Sequence, residues 1–227
     1  MGYWSVAVMT RCLALLLCLS PLVRVGAADT LTLMKECSGA GITLVVQTWA
    51  PEGPEHINGA PQPTFPDSVL EVFKNKTDAN ATKDALIREL APTLAQQGFH
   101  IFRVSGTLWI APQDAPPVFG LHLTVTQQAT WTLEATLQVF ASEGQCVMPP
   151  GNPRDPFSTG ACVVDLKPGE YSLAQVLCLA AATHRDYLGW MVRCSQVGHT
   201  GEKQVYFEVR PFCPRFQLHK GMLIAVK

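Results

Sequence analysis

The N-terminal segment most constrains how this chain folds, because it decides the compartment in which the rest folds. Arg11 precedes an apolar, leucine-rich run over 12–23, and Val25-Gly26-Ala27 gives the pattern of a signal-peptidase site. This layout is typical of a secretory signal peptide, and the apolar run is shorter than the roughly 20 residues that span a membrane. We therefore predict that residues 1–27 are a signal peptide and that 28–227 form a single secreted globular domain.

The cysteines follow from that compartment. Six of the eight lie beyond the signal peptide, and an even number in an oxidising environment indicates three disulfides. No two stand at the C-x-x-C spacing of a zinc site. Most of them fall in 146–213, so we predict a disulfide-stapled C-terminal third, and a local bond between Cys146 and Cys162 would close a Pro- and Gly-rich loop. The six are Cys37, Cys146, Cys162, Cys178, Cys194 and Cys213.

Two features between the first strand and the long helix indicate surface. A proline-rich loop is predicted over 50–66, where neither helix nor sheet suits the sequence. Asn75-Lys76-Thr77 and Asn80-Ala81-Thr82 are N-glycosylation sequons. We predict that at least one of Asn75 and Asn80 carries a glycan and that 75–82 is a solvent-facing glycosylated segment.

Hydrophobic periodicity predicts an α+β protein. The clearest signal is strict alternation over 119–125 and again over 131–139, which predicts an antiparallel hairpin turning at 127–130. Leucines four residues apart predict a helix over 83–97, with a kink or break at Pro92. The other predicted strands are 42–47, 99–104, 107–110, 188–194, 205–212 and 222–226, and the other predicted helices begin at Asp67 and span 171–182. The expected architecture is a curved antiparallel sheet with helices packed on one face.

The strand–helix–meander order of the first half resembles that of cystatin-like folds. That resemblance implies a sheet that holds a peptide, although no inhibitor motif accompanies it.

Candidate chemistry is sparse. Histidines and carboxylates show no metal or nucleophile spacing, so we predict no catalytic residues, no metal and no cofactor. His122 is predicted to be a solvated sheet residue. Trp49, before the proline-rich loop, and Phe157, in the Cys146–Cys162 loop, are the candidate interface residues because interfaces are enriched in aromatic side chains. Beyond the leader, 15 basic and 18 acidic side chains give no basic excess that would favour nucleic acid.

These features favour a non-catalytic secreted glycoprotein. We expect an extracellular protein-binding module, a soluble ligand or a subunit of a surface complex, host- or virus-encoded, without a transmembrane anchor. Its partner would be another extracellular or membrane protein. The alternative is a secreted inhibitor or small-ligand carrier with a cystatin-like or barrel-like sheet. A hydrolase whose active site combines residues distant in sequence is a third hypothesis.

Overall fold

The structure is a computed structural model that describes residues 27–51, 63–74, 79–148, 159–184, 187–197, 204–212, 216–219 and 222–225. These residues contain five α-helices and a five-stranded mixed sheet, which confirms the α+β class. The helices are α1 Thr30–Gly39, α2 Asp67–Lys74, α3 Ala79–Ala95, α4 Leu133–Glu143 and α5 Leu173–Thr183. No helix in the described part of the chain is both long and apolar enough to cross a membrane.

The strands predicted over 42–47, 99–104, 107–110, 188–194, 205–212 and 222–226 are present, most of them with shifted ends. The strands over 27–29, 64–66, 163–166, 169–172 and 216–219 were not predicted, because they are too short to show a clear period. The strand over 64–66 lies in the stretch 50–66 that was predicted to be a loop, so that prediction is wrong there. The described residues contain thirteen strands in all. They are β1 Ala27–Asp29, β2 Leu44–Ala50, β3 Thr64–Pro66, β4 Phe99–Val104, β5 Thr107–Pro112, β6 His122–Val125, β7 Ala129–Thr132, β8 Val163–Leu166, β9 Gly169–Ser172, β10 Gly189–Val197, β11 Gln204–Phe212, β12 Phe216–His219 and β13 Met222–Ala225. Two short 3-10 helices, Val118–Gly120 and Thr159–Ala161, complete the assignment.

The main sheet has the order β11-β10-β2-β5-β4. Its outer pairs are antiparallel, but β2 runs parallel to both β10 and β5. The prediction of an antiparallel sheet is therefore wrong at the centre. The physical reason lies in β2, where Leu44, Val45 and Val46 are all buried, because a strand covered on both faces has a continuous apolar run rather than alternation.

Helices cover both faces of this sheet. A first hydrophobic cluster on one face includes Val45, Trp109 and Trp190 with buried side chains of α4 and α5. A second cluster on the other face includes Leu44 and Val46 with buried side chains of α1, α2 and α3. The prediction that helices pack on one face is wrong, because alternate side chains of β2 point to opposite sides and each side is buried against its own helices.

The predicted hairpin over 119–139 is also wrong. β6 and β7 do not pair with each other: β6 pairs with β9 and β7 pairs with β8, both antiparallel. The chain leaves β7 as helix α4, with Thr132 as N-cap accepting a hydrogen bond from Ala135 N–H (3.1 Å). Leu133 and Leu137 fit alternation, but with Thr136, Phe140 and Ala141 they also form the buried face of a helix.

The crossed pairing joins two units of the same design. Each has a short strand, a link of two or three residues, a second short strand and an 11-residue helix. Ser172 caps α5 as Thr132 caps α4, and Gln175 completes a capping box with it. We name them the first unit, 122–143, and the second unit, 163–183. No repeat in the amino-acid sequence marks this duplication.

The predicted β4–β5 hairpin is confirmed by the structure. Ser105 and Gly106 have φ values of 46° and 90°, the left-handed pair that a two-residue turn between twisted strands requires. Helix α3 passes through Pro92 and continues to Ala95, so the chain does not split into two helices there, and a kink at Pro92 stays a prediction.

Candidate binding pocket

A surface pocket of about 220 Å³ lies where the β4–β5 hairpin meets the chain that follows it. It opens on the face of the sheet that carries the first hydrophobic cluster, because His100, Phe102 and Ala111 occupy alternate positions on that side. We call it the proline pocket. It is lined by Gln47, His100, Phe102, Ala111, Pro112, Gln113, Ala115, Pro116, Pro117 and Phe119.

Three prolines give the pocket a rigid wall. Pro112, Pro116 and Pro117 each have a fixed φ, which lowers the entropy lost when the wall forms. Backbone hydrogen bonds also stabilise the segment 112–118. Val118 N–H donates to Pro116 C=O (2.9 Å), and Ala115 N–H donates to Pro112 C=O (3.2 Å). The wall is therefore formed before any ligand arrives.

A buried glutamine ties this wall to the sheet. Gln47, on β2, is fully buried and donates from Nε2 to the carbonyl of Pro116 (2.8 Å). Its Oε1 accepts a hydrogen bond from Trp109 Nε1 (3.1 Å). A buried amide without partners is costly, so these two bonds fix the position of the wall over β2 and β5.

Aromatic rings form the side of the pocket nearest the hairpin. Phe102 and Trp109 are cross-strand partners on β4 and β5. The Phe119 ring packs on both, with centroids 4.7 Å from Phe102 and 5.8 Å from Trp109 at inclined angles. Such tilted and edge contacts are favourable beyond the area that they bury, and they leave an apolar surface facing the pocket.

The chemistry of the pocket suits binding. Among the described residues that line it, His100 alone has an ionisable side chain, and that residue is exposed. The volume is below the roughly 300 Å³ at which small-molecule sites begin. One apolar side chain of a partner fits this description better than a whole small ligand.

The edge strand β4 adjoins the pocket, and no described strand pairs with its outer side. β4 is the last strand of the sheet, and Gln113 N–H donates to Gly98 C=O (2.9 Å), which marks a hydrogen-bonded pair. Because such pairs alternate along an antiparallel ladder, the backbone groups of Phe99, Ile101 and Arg103 point away from β5. At the opposite end of the sheet, Val147 forms a parallel bridge to Tyr206 and covers part of β11.

The residues singled out from the sequence are dispersed. Trp49 is half-buried in β2 and packs against the first cluster instead of standing free. His122 is exposed on β6, as predicted. Asn80 is the second residue of α3. Phe157 and Asn75 lie outside the described residues, as do 52–62 of the proline-rich loop and 75–78 of the predicted glycosylated segment.

Five cysteines fall within the described residues, and all five are free thiols there, whereas Cys213 lies outside them. Burial raises the pKa of the Cys162 thiol to about 12, and it also raises the pKa of Cys37 and Cys194. Cys37 belongs to the second cluster, and Cys146, Cys162 and Cys194 belong to the first. In the part of the chain that is described, no group of three or more metal-ligating side chains comes together.

The proline pocket is not among the sites that the sequence predicts. The available signal was Pro112, Pro116 and Pro117 just after a hairpin and just before Phe119. Prolines in a loop predict a turn, but they do not reveal that a glutamine 69 residues away in the chain holds the loop down.

Comparisons of the chain with protein-family models, with curated proteins and with solved structures found no match.

Proposed function

We propose that this protein is a non-catalytic binding module that takes an extended segment of a partner protein against strand β4. The observation that carries the proposal is the apolar pocket beside the edge strand β4, with whose outer side no described strand pairs. The edge supplies backbone hydrogen bonds, and the pocket accepts one side chain of the added strand. Affinity then comes mainly from the backbone, and selectivity comes from the side chain in the pocket.

The partner is proposed to be an extracellular or membrane protein that the chain meets after secretion. This part of the proposal rests on the signal-peptide pattern of 1–27, on the sequons at Asn75 and Asn80, and on the even number of cysteines beyond the leader. Bonds among the cysteines of 146–213 would restrain the part of the chain that carries the second unit, β10 and β11.

A small-ligand carrier is the less favoured function. Its ligand would have to fit within about 220 Å³, whereas a partner's side chain needs no larger volume because the rest of the partner stays outside.

The experiment selects decapeptides from a displayed random library on the immobilised protein and then measures the affinity of one selected peptide by fluorescence anisotropy. We expect selected peptides to carry an apolar residue at one preferred position. Ala115→Trp fills the pocket and should weaken binding at least tenfold. Arg103→Pro removes an outward-pointing N–H of the edge while keeping the β4–β5 ladder, since edge strands tolerate proline there, and should weaken binding similarly.

Arg103→Ala is the matched control. It removes the same side chain, including its exposed 3.7 Å ion pair with Asp84, which contributes little to stability, but it keeps the backbone donor. Binding within threefold of wild type is expected. If no peptide is selected, or if the peptide binds Ala115→Trp and Arg103→Pro as tightly as wild type, the proposed function is wrong.

A further inference from the structure

The β10–β11 ribbon has a polar face on the side of the sheet away from the proline pocket. Arg193 lies opposite Glu208, Ser195 opposite Tyr206, and Met191 opposite Arg210. Residues directly opposite in an antiparallel ladder share a face, so these side chains form one surface. We call Arg193, Ser195, Tyr206, Glu208 and Arg210 the arginine face. Within the main sheet, the second cluster draws its buried residues from β2, β4 and β5, so the arginine face lies beside that cluster.

The arginine face carries an unbalanced positive charge. Arg210 donates from Nε and Nη2 to the same Glu208 oxygen, both at 2.7 Å. Arg193 Nη1 stands 3.9 Å from the other oxygen, beyond hydrogen-bond distance. Two guanidinium groups and one carboxylate leave a net charge of +1. The side chains of Arg193 and Glu208 are only 15% and 18% exposed, so water screens this charge poorly.

Of the two arginines in the arginine face, Arg193 makes the weaker contacts with Glu208. Apart from the long approach to Glu208, its polar contact among the described residues is a weak one, Nε to Met191 Sδ at 3.5 Å. Burial and the neighbouring Arg210 lower the pKa of its guanidinium. A guanidinium offers five N–H donors in a planar fork, and among the described residues only the Nε donor of Arg193 has a hydrogen-bond acceptor, the sulfur of Met191.

A second, independent observation comes from Ser195. Its side chain is fully buried, and its Oγ has no hydrogen-bond partner among the described residues. A buried hydroxyl without a hydrogen-bond partner lowers the stability of the fold by about 1–3 kcal/mol. Such a group calls for an explanation, for example an acceptor supplied by a bound ligand. Ser195 is two residues from Arg193 on the same strand, so it shares its face.

We propose that the arginine face binds the carboxylate group of a peptide, with Arg193 as the bidentate donor and Ser195 Oγ as an additional donor. The planar guanidinium fork matches the two oxygens of a carboxylate. One carboxylate neutralises the net charge of +1, whereas a phosphate dianion would leave an excess negative charge beside Glu208. The site does not depend on the proline pocket, which lies on the opposite face of the sheet.

The test follows the side-chain Nε–Hε NMR signals of Arg193 and Arg210 during titration at pH 7 and constant ionic strength. N-acetyl-alanine supplies a terminal carboxylate, N-acetyl-aspartate α-amide supplies a side-chain carboxylate, and N-acetyl-alanine amide is the neutral control. We expect saturable shifts with a carboxylate and none with the amide. The tighter of the two carboxylates identifies the source, a chain terminus or an acidic side chain.

Four variants separate binding from folding. Arg193→Gln should weaken carboxylate binding at least tenfold, and Arg88→Gln, at an exposed arginine of α3, should not change it. Ser195→Ala removes a buried hydroxyl without a partner, so it should weaken binding severalfold while stability is unchanged or raised. Glu208→Gln raises the net charge to +2 and should shift preference from carboxylate toward inorganic phosphate.

Three results would each overturn the proposal. They are an absence of saturable shifts up to 50-fold molar excess at millimolar protein, equal shifts with the neutral amide, or tighter binding of inorganic phosphate than of both carboxylates by the wild-type protein.

Discussion

At the residue scale, Gln47 determines the shape of the proline pocket. Its amide oxygen accepts a hydrogen bond from Trp109 in the sheet, and its amide nitrogen donates one to the carbonyl of Pro116 in the wall. No water-exposed alternative exists for this side chain, because it is fully buried. The same side chain therefore contributes to stability and to the geometry of the candidate site.

Gln47→Leu should lower the free energy of unfolding by about 1–3 kcal/mol, because it leaves the buried Trp109 Nε1 without a partner. The Pro116 carbonyl loses one of its two hydrogen bonds and keeps the one from Val118 N–H. Urea denaturation measures the change. Gln113→Leu is the control, since its amide makes one exposed bond of 3.3 Å to Ala95 C=O and should cost less than about 1 kcal/mol. Equal losses for the two variants would contradict this account of Gln47.

The buried thiols predict a pH dependence for the reduced protein. Burial raises the pKa of Cys162 to about 12 and also raises that of Cys194, whereas an unfolded thiol titrates near about 8.5. The folded state then holds more protons, so stability is full below about pH 8.5 and falls as pH rises, by up to about 1.4 kcal/mol per pH unit per thiol. Urea midpoints between pH 7.5 and 9.5 test this.

Cys162→Ala removes one of these thiols and should flatten the decline. If stability of the reduced protein stays constant or rises over that pH range, the thiols are not held in their neutral form.

At the element scale, α3 contains an unfavourable residue in its interior. Pro92 is the fourteenth of 17 helical residues and is exposed. Proline removes an N–H donor and clashes with the preceding turn. Packing of Leu86, Leu90 and Leu94 in the second cluster keeps the helix intact across it.

Pro92→Ala should therefore raise the free energy of unfolding by about 1–3 kcal/mol, which is up to the full difference between proline and alanine inside a helix. Thermal and urea unfolding measure it. Thr93→Ala, the next residue, should change stability by less than about 0.7 kcal/mol. A Pro92→Ala protein no more stable than wild type would mean that the chain at Pro92 is not ordinary helix.

Elements set by local patterns could be predicted from the sequence, and pairings over long distances could not. The β4–β5 hairpin and α5 follow from their own residues. Leu133 and Leu137 satisfy both periods 2 and 3.6, and only the cap at Thr132 and the packing of Phe140 decide for the helix. The parallel position of β2 between β5 and β10 depends on segments far apart in the chain.

The proline pocket illustrates the same limit. Its wall and aromatic side come from one stretch, 100–119, but its anchor is Gln47. The arginine face likewise joins two strands whose charged residues look like ordinary solvated positions in the sequence. Contact between distant residues, which a single sequence does not reveal, creates both sites.

At the scale of the whole molecule, the main sheet restricts disulfide pairing. Cys37 lies in the second cluster, and α5 with Cys178 covers the first-cluster face together with Cys146, Cys162 and Cys194. A disulfide requires Cα atoms about 4.4–6.8 Å apart, which the intervening sheet prevents. Of the three disulfides that the sequence predicts, we therefore expect the one that contains Cys37 to be formed with Cys213, which follows Phe212 directly in sequence. Phe212 packs against the second cluster.

Mass spectrometry of the secreted, non-reduced protein after proteolysis should therefore find the Cys37–Cys213 bond and an N-terminus at Ala28. A peptide linking Cys37 to Cys146, Cys162, Cys178 or Cys194 would contradict the arrangement of faces. Cys37→Ser should leave Cys213 as the reactive thiol.

The crossed pairing of the first and second units also bears on how copies of this chain behave together. Neither unit completes a ladder alone: β6 needs β9 and β7 needs β8. The second unit of another copy satisfies these ladders equally well, because it has the same sequence and caps. Two chains that exchange their C-terminal portions keep every bond of both ladders and differ only in the connection between the units. Refolding at high concentration therefore opens a route to an intertwined dimer, whereas refolding in dilute solution favours the monomer.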